Sequence, residues 1–87
     1  MTRTVTINLR FFAAIREALG TGSESCVTSA TDVAGLRDML IARGAPYADA
    51  LARGKLVRIA VDQHLCEEPT PLRDGAEVAF FPPVTGG

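Results

Sequence analysis

The sequence predicts an α+β domain with a single core, four or five short strands and two main helices on one face of the sheet. Three observations carry this. Apolar residues alternate with polar ones near the start, in the middle and near the end of the chain, while two intervening stretches repeat at helical spacing. At 87 residues the chain is too short for two cores.

Thr4 to Phe11 alternates cleanly, with Val5, Ile7, Leu9 and Phe11 on one side and Thr4, Thr6, Asn8 and Arg10 on the other. This is the pattern of a half-buried strand. The period then lengthens: Phe12, Ile15 and Leu19 recur at helical spacing, and Gly20 follows as a stop. Glu24 to Thr28 is a weaker strand with Cys26 facing inward. Thr31 is expected to cap a second helix, with Asp32 in its first turn and Val33, Leu36 and Leu40 as an apolar stripe widened by Met39 and Ile41. Gly35 costs this helix about 1 kcal/mol against alanine, and the sequence offers no account of it beyond close packing. Gly44 and Pro46 end it.

Tyr47 to Ala52 is expected to form one short helical turn. Leu56 to Val61 is a strand by its alternation, Asp62-Gln63-His64 a turn, and Leu65-Cys66 a short return. Asp74-Gly75 launches the last strand, Glu77 to Phe81. Both helices need the same sheet face to cover their apolar stripes, which leaves the other face partly in water.

Composition excludes several functions. Nine basic and ten acidic residues give a net charge of -1, without the basic footprint that nucleic acid requires. No apolar run approaches the ~20 residues of a membrane span, and Met1 leads into a strand pattern, so no secretion signal is expected. Cys26 and Cys66 form no metal-binding spacing and are expected to be reduced, partly buried thiols in a cytoplasmic protein. His64 reads as a solvated turn residue, and Asp62, Glu67 and Glu68 as a solvated loop without a ligand set for a metal. Cys26 reads as core; Cys66 stays undecided between structure and sulfur relay.

The informative stretch is the end, EVAFFPPVTGG. With Glu77 toward water, Val78 and Phe80 point inward, and Phe81 points outward with Ala79. An exposed Phe81 fits either a docking surface or a local fold-back. Pro82 and Pro83 cannot donate ladder hydrogen bonds, so residues 1–81 are expected to form the domain and residues 82–87 a flexible projecting tail. Six residues, Pro82, Pro83, Val84, Thr85, Gly86 and Gly87, extend at most ~20 Å. Lacking Cβ, Gly86 and Gly87 suit a narrow channel. A terminal carboxylate is ionised at neutral pH and a poor electrophile. It needs activation, for example as an acyl-adenylate, and the chain has no phosphate-binding loop or catalytic base to provide this. It therefore reads as a carrier or substrate for partners.

LRFFAAIREALG, VRIAVDQHL and, above all, LRDGAEVAFFPPVTGG resemble the small subunits of molybdopterin synthase, the ubiquitin-like sulfur carriers of the MoaD family. The resemblance spans essentially the whole chain, though residues 21–53 match only in pattern. It implies a β-grasp fold: a mixed sheet with first and last strands adjacent. It also implies that an ATP-dependent enzyme adenylates Gly87, that the adenylate becomes a thiocarboxylate, and that the tail inserts into the large synthase subunit of a heterotetramer. There sulfur passes to cyclic pyranopterin monophosphate. No cofactor would be bound by this chain, ATP being used by the activating enzyme. The positions matching the family's docking patch are Leu65 and Phe81. Alternatives are a sulfur carrier for thiamine thiazole synthesis, a ubiquitin-like protein modifier, or a plain interaction module.

Overall fold

A computed structural model describes residues 3–83 of the chain. Five strands form one mixed sheet: β1 (Val5–Phe11), β2 (Ser23–Thr28), β3 (Arg58–Val61), β4 (His64–Cys66) and β5 (Glu77–Phe81). Their order across the sheet is β2-β1-β5-β3-β4. The first and last strands lie side by side, as expected, and run parallel, with Leu9 opposite Val78 and Phe11 opposite Phe80. The remaining pairs are antiparallel. Helices α1 (Ala13–Leu19) and α2 (Val33–Ile41), with the short α3 (Tyr47–Ala50), complete the described elements.

The alternation read from the sequence decides which face is covered. Ile7, Leu9 and Phe11 of β1, Ile59 of β3, and Val78 and Phe80 of β5 share one core with Ile15 of α1 and Val33, Leu36 and Leu40 of α2. Phe11 stacks on Phe80 with ring centroids 6.1 Å apart and meets Tyr47 edge-on at 6.5 Å. On the other face of β1, Thr6, Asn8 and Arg10 are exposed.

Three of the differences from the sequence reading have a clear physical cause. Phe12 was expected in the α1 stripe, but it precedes the helix in extended conformation and is 43% exposed. Its backbone N–H still donates to the Phe80 carbonyl at 3.2 Å, so sheet pairing holds it out of the helix. The chain then turns sharply at Ala13, whose φ of 52° lies in the left-handed region, a conformation costing a side-chain-bearing residue about 1–2 kcal/mol. Second, Asp32, not Thr31, caps α2: its carboxylate accepts from the Gly35 N–H at 2.9 Å. A Cβ at Gly35 would stand 3.3 Å from both Asp32 Oδ1 and the Ala30 methyl, which accounts for glycine inside a helix. Third, β3 begins at Arg58 rather than Leu56, and Leu56 is 81% exposed in the preceding loop.

Arg37 was not singled out in the sequence, yet it is buried. Its guanidinium donates to the Leu51 and Ala52 carbonyls, each at 2.8 Å, to the Lys55 carbonyl at 3.3 Å, and pairs with Glu68 at 3.1 Å. A buried charge is tolerable only when paired and hydrogen-bonded in this way. The cluster anchors the loop before β3 to α2. It also means that Glu68, expected to be solvated, is half-buried, and it bonds Arg53 as well.

Candidate functional site

Strand β5 ends at Phe81, and Pro82 and Pro83 follow it. The Asp74-Gly75 turn and Asp62 set its start. Asp74 Oδ1 accepts from the Thr6 N–H at 2.7 Å, and Asp62 Oδ1 accepts from the Glu77 N–H at 3.1 Å. That backbone donor, together with Arg73 at 2.6 Å, holds the Asp62 carboxyl below its ordinary range. Asp62 is thus engaged in fixing the turn to β5. Asp62 and Gln63 both have positive φ, the signature of a tight two-residue hairpin turn. His64, expected within that turn, is the first residue of β4. It is exposed, with Nδ1 3.0 Å from the Asp62 carbonyl oxygen.

With its start fixed, β5 divides its side chains between two faces. Val78 and Phe80 are fully buried on the helix side. Glu77, Ala79 and Phe81 fall on the open side, as the phase argument requires. Glu77 sits 3.7 Å from Arg10 there. Phe81 is half-buried rather than exposed, and Ala79 is only 7% exposed although it belongs to the open face. The register explains the alanine: it lies beside Ala60 of β3 and between Glu77 and Phe81 along its own strand, so longer neighbours surround a short side chain.

Leu65 is opposite Ala60 on β4 and is 72% exposed. Leu65, Ala60 and Ala79 therefore form one row across the open face, with Phe81 one step further along β5 and facing Arg58. The structure brings Leu65 and Phe81, distant in sequence, onto one face of the sheet near the end of β5. Arg10, Arg58 and Glu77 give it a polar border. Sequence reasoning missed Ala60 and the burial of Ala79; the alternation of Ile59, Ala60 and Val61 carried the signal for the former. Pro82 and Pro83 follow β5 and are half-buried. The predicted positions Val84, Thr85, Gly86 and Gly87 lie outside the described residues.

Among the described residues no three His, Cys, Asp or Glu side chains cluster as metal ligands, and no helix is long and apolar enough to cross a membrane. Cys26 is buried, and burial pushes its thiol pKa up, opposed by Arg43 and reinforced by Glu24, so it stays protonated. Cys66 is half-buried on β4. The two thiols lie on opposite edge strands, four spacings or roughly 19 Å apart, too far for a disulfide within the chain.

Comparison with known proteins agrees with this arrangement. Residues 9–87 match the ThiS family. The chain is 46% identical over 81 residues to the molybdopterin synthase sulfur carrier subunit of Escherichia coli, covering 93% of this chain and 99% of that protein. It is 38% identical over 85 residues to the subunit of the same name from Mycobacterium tuberculosis, covering 95% and 99%. Among solved structures, a Helicobacter pylori complex of subunits 1 and 2 of molybdopterin-converting factor contains a chain that superposes with a TM-score of 0.63 at 31% identity, covering 95% of this chain and 100% of that one. The small archaeal modifier protein 1 of Methanosarcina acetivorans gives a TM-score of 0.76 at 21% identity, covering 98% and 99%, a likeness of fold. The sheet order, the face its helices cover and these matches agree: this is a β-grasp domain, and the chain belongs to the ThiS family.

Proposed function

We propose that the protein is the sulfur carrier and small subunit of a molybdopterin synthase. The observation that carries the reading is the match to sulfur carrier subunits over nearly the whole of both chains, with a family match that runs through residue 87. An open apolar face at the root of the tail supports it.

The reading assigns chemistry to the main chain and docking to side chains. An oxygen of the Gly87 carboxylate attacks the α-phosphorus of ATP on an activating enzyme, and pyrophosphate leaves. Hydrosulfide from a sulfide-level donor then attacks the acyl carbon, loses its proton and displaces AMP, leaving a thiocarboxylate. Leu65 and Phe81 seat the domain on the large subunit, while Pro82 and Pro83 direct Val84, Thr85, Gly86 and Gly87 into its active site. Sulfur passes there to cyclic pyranopterin monophosphate, building the dithiolene of molybdopterin. Hydrolysis of the acyl group restores the carboxylate. This chain binds no cofactor, contributes no side chain to bond making, and works in the cytoplasm in a complex of two small and two large subunits.

Removing Gly87 tests the proposal. The shortened protein should fold and bind the large subunit yet support no molybdopterin formation. Intact-mass measurement of the full chain after incubation with activating enzyme, ATP and a sulfide source should show one oxygen replaced by sulfur. Full synthase activity without Gly87 would refute the assignment. Isopeptide linkage of Gly87 to target lysines would favour a protein modifier instead.

A further inference from the structure

The two edges of the sheet are built differently. Strand β4 is three residues long and runs into Glu67, Glu68 and Pro69; shortness, charge and proline all protect an edge against further pairing. Strand β2 is six residues long, pairs with β1 in continuous register from Ser23 to Thr28, and contains neither proline nor lysine. Its one charged side chain, Glu24, is held by Arg43 at 2.6 Å and Tyr47 at 2.7 Å and does not guard the edge. The phase of its backbone follows from one bond. The Phe11 N–H donates to the Gly22 carbonyl at 3.0 Å, and in an antiparallel ladder every second residue then faces the partner. Glu24, Cys26 and Thr28 therefore bond β1, while Ser23, Ser25 and Val27 turn their N–H and C=O groups outward. Thr21 Oγ1 closes the first of these, accepting from the Ser23 N–H at 3.4 Å and donating to its carbonyl at 2.9 Å. The outward groups of Ser25 and Val27 have no partner among the described residues. Val27 is also 65% exposed, on the open face.

We propose that β2 is a self-recognition edge, pairing antiparallel with β2 of a second copy so that two sheets join into one. The free groups choose both the partner and the register. When Ser25 lies opposite Val27 of the second copy, and Val27 opposite its Ser25, every open N–H and C=O of the two strands is used. A shift by two residues sets a free pair against Ser23, already closed by Thr21, or against Ser29, beyond the strand. An identical strand is its own complement here, because the two-fold axis passes between the paired Cys26 residues. These face each other at a non-hydrogen-bonded position, with Cα atoms about 4.5 Å apart. Glu24 meets Thr28, so no like charges oppose each other across the seam. On the open face Val27 is covered by Ser25 and Val27 of the second copy. The pairing closes as a dimer, since the β4 edges it leaves are the protected ones. A contact this small falls below standard interfaces and makes the dimer a weak one. Leu65 lies on the far edge, four strand spacings or roughly 19 Å from β2, so the contact leaves it uncovered and does not depend on sulfur transfer.

Sedimentation equilibrium of the full chain should show a mass that rises from 9.2 kDa towards twice that value as concentration is raised to about 1 mM. The Ser25 and Val27 amides should shift over the same range while those of His64 to Cys66 stay fixed. In a mixture of labelled and unlabelled copies, isotope-filtered spectra should show a contact between the Cys26 Hα atoms of the two copies, which this register alone produces. Val27→Lys, at an exposed position, should weaken self-association roughly 5-fold by like-charge repulsion across the seam, with the monomer fold unchanged. Ser25→Pro deletes an outward donor that β1 does not use, a change an edge strand accepts, and should abolish the dimer. A monomeric mass across the whole range would overturn the proposal. So would a dimer whose shifts and intermolecular contacts fall on elements other than β2, or one that survives Val27→Lys and Ser25→Pro alike.

Discussion

Phe80 and Phe81 are neighbours in sequence and identical in chemistry, yet one is fully buried and the other half-buried. Phe80 lies under the helices, against Phe11 of the adjacent parallel strand. Phe81 lies on the open face, opposite Arg58. The pleat alone separates them, because successive side chains of a strand point to opposite faces. The comparison teaches that β5 serves two purposes at once. Its inner face ties the last strand into the core, and its outer face shares the open side of the sheet with the exposed Leu65 and the small, covered Ala60 and Ala79.

The comparison breaks most readily at Phe80. Phe80→Ala should cost about 3–5 kcal/mol, the usual loss for a buried aromatic, read as a fall in the denaturation midpoint. Phe81→Ala should cost less, about 1–2 kcal/mol, because only part of the ring is withdrawn from water. Under the proposed function it should also weaken large-subunit binding roughly 10-fold or more, as loss of an aromatic anchor does. Equal stability losses at the two positions would erase the distinction between the faces. Leu65→Ser should have the smallest effect on folding, within ~0.5 kcal/mol for an exposed side chain. A reduced large-subunit affinity, measured by calorimetry, would sharpen its place in the docking surface, and unchanged affinity would remove it.

Much of this architecture was legible because it is local. The period of two from Val5 to Phe11 marked both the strand and its buried face, and the spacing of Val33, Leu36 and Leu40 marked the covered side of α2. Where the reading slipped, a distant partner had decided the outcome. Phe12 fits the helical period of Ile15 and Leu19, but its N–H is committed to the Phe80 carbonyl, far along the chain. Thr31 and Asp32 are both good caps; the backbone after Thr31 bridges to Pro71, and Asp32 receives the Gly35 N–H. Arg37 continues the buried spacing at one turn from Val33, so its position was legible even though its charge argued against burial. Only the carbonyls of Leu51, Ala52 and Lys55 explain how that charge is met.

The sequence by itself determined the α+β class and the phase of β5, since each depends on side-chain period over a few consecutive residues. The tertiary structure alone decided that β1 and β5 run parallel, that Leu65 and Phe81 share a face of the sheet, and that Lys55, Leu56 and Pro82 wall one groove. Those are meetings of residues far apart in the chain, and they exist only once the sheet is ordered and the core has closed.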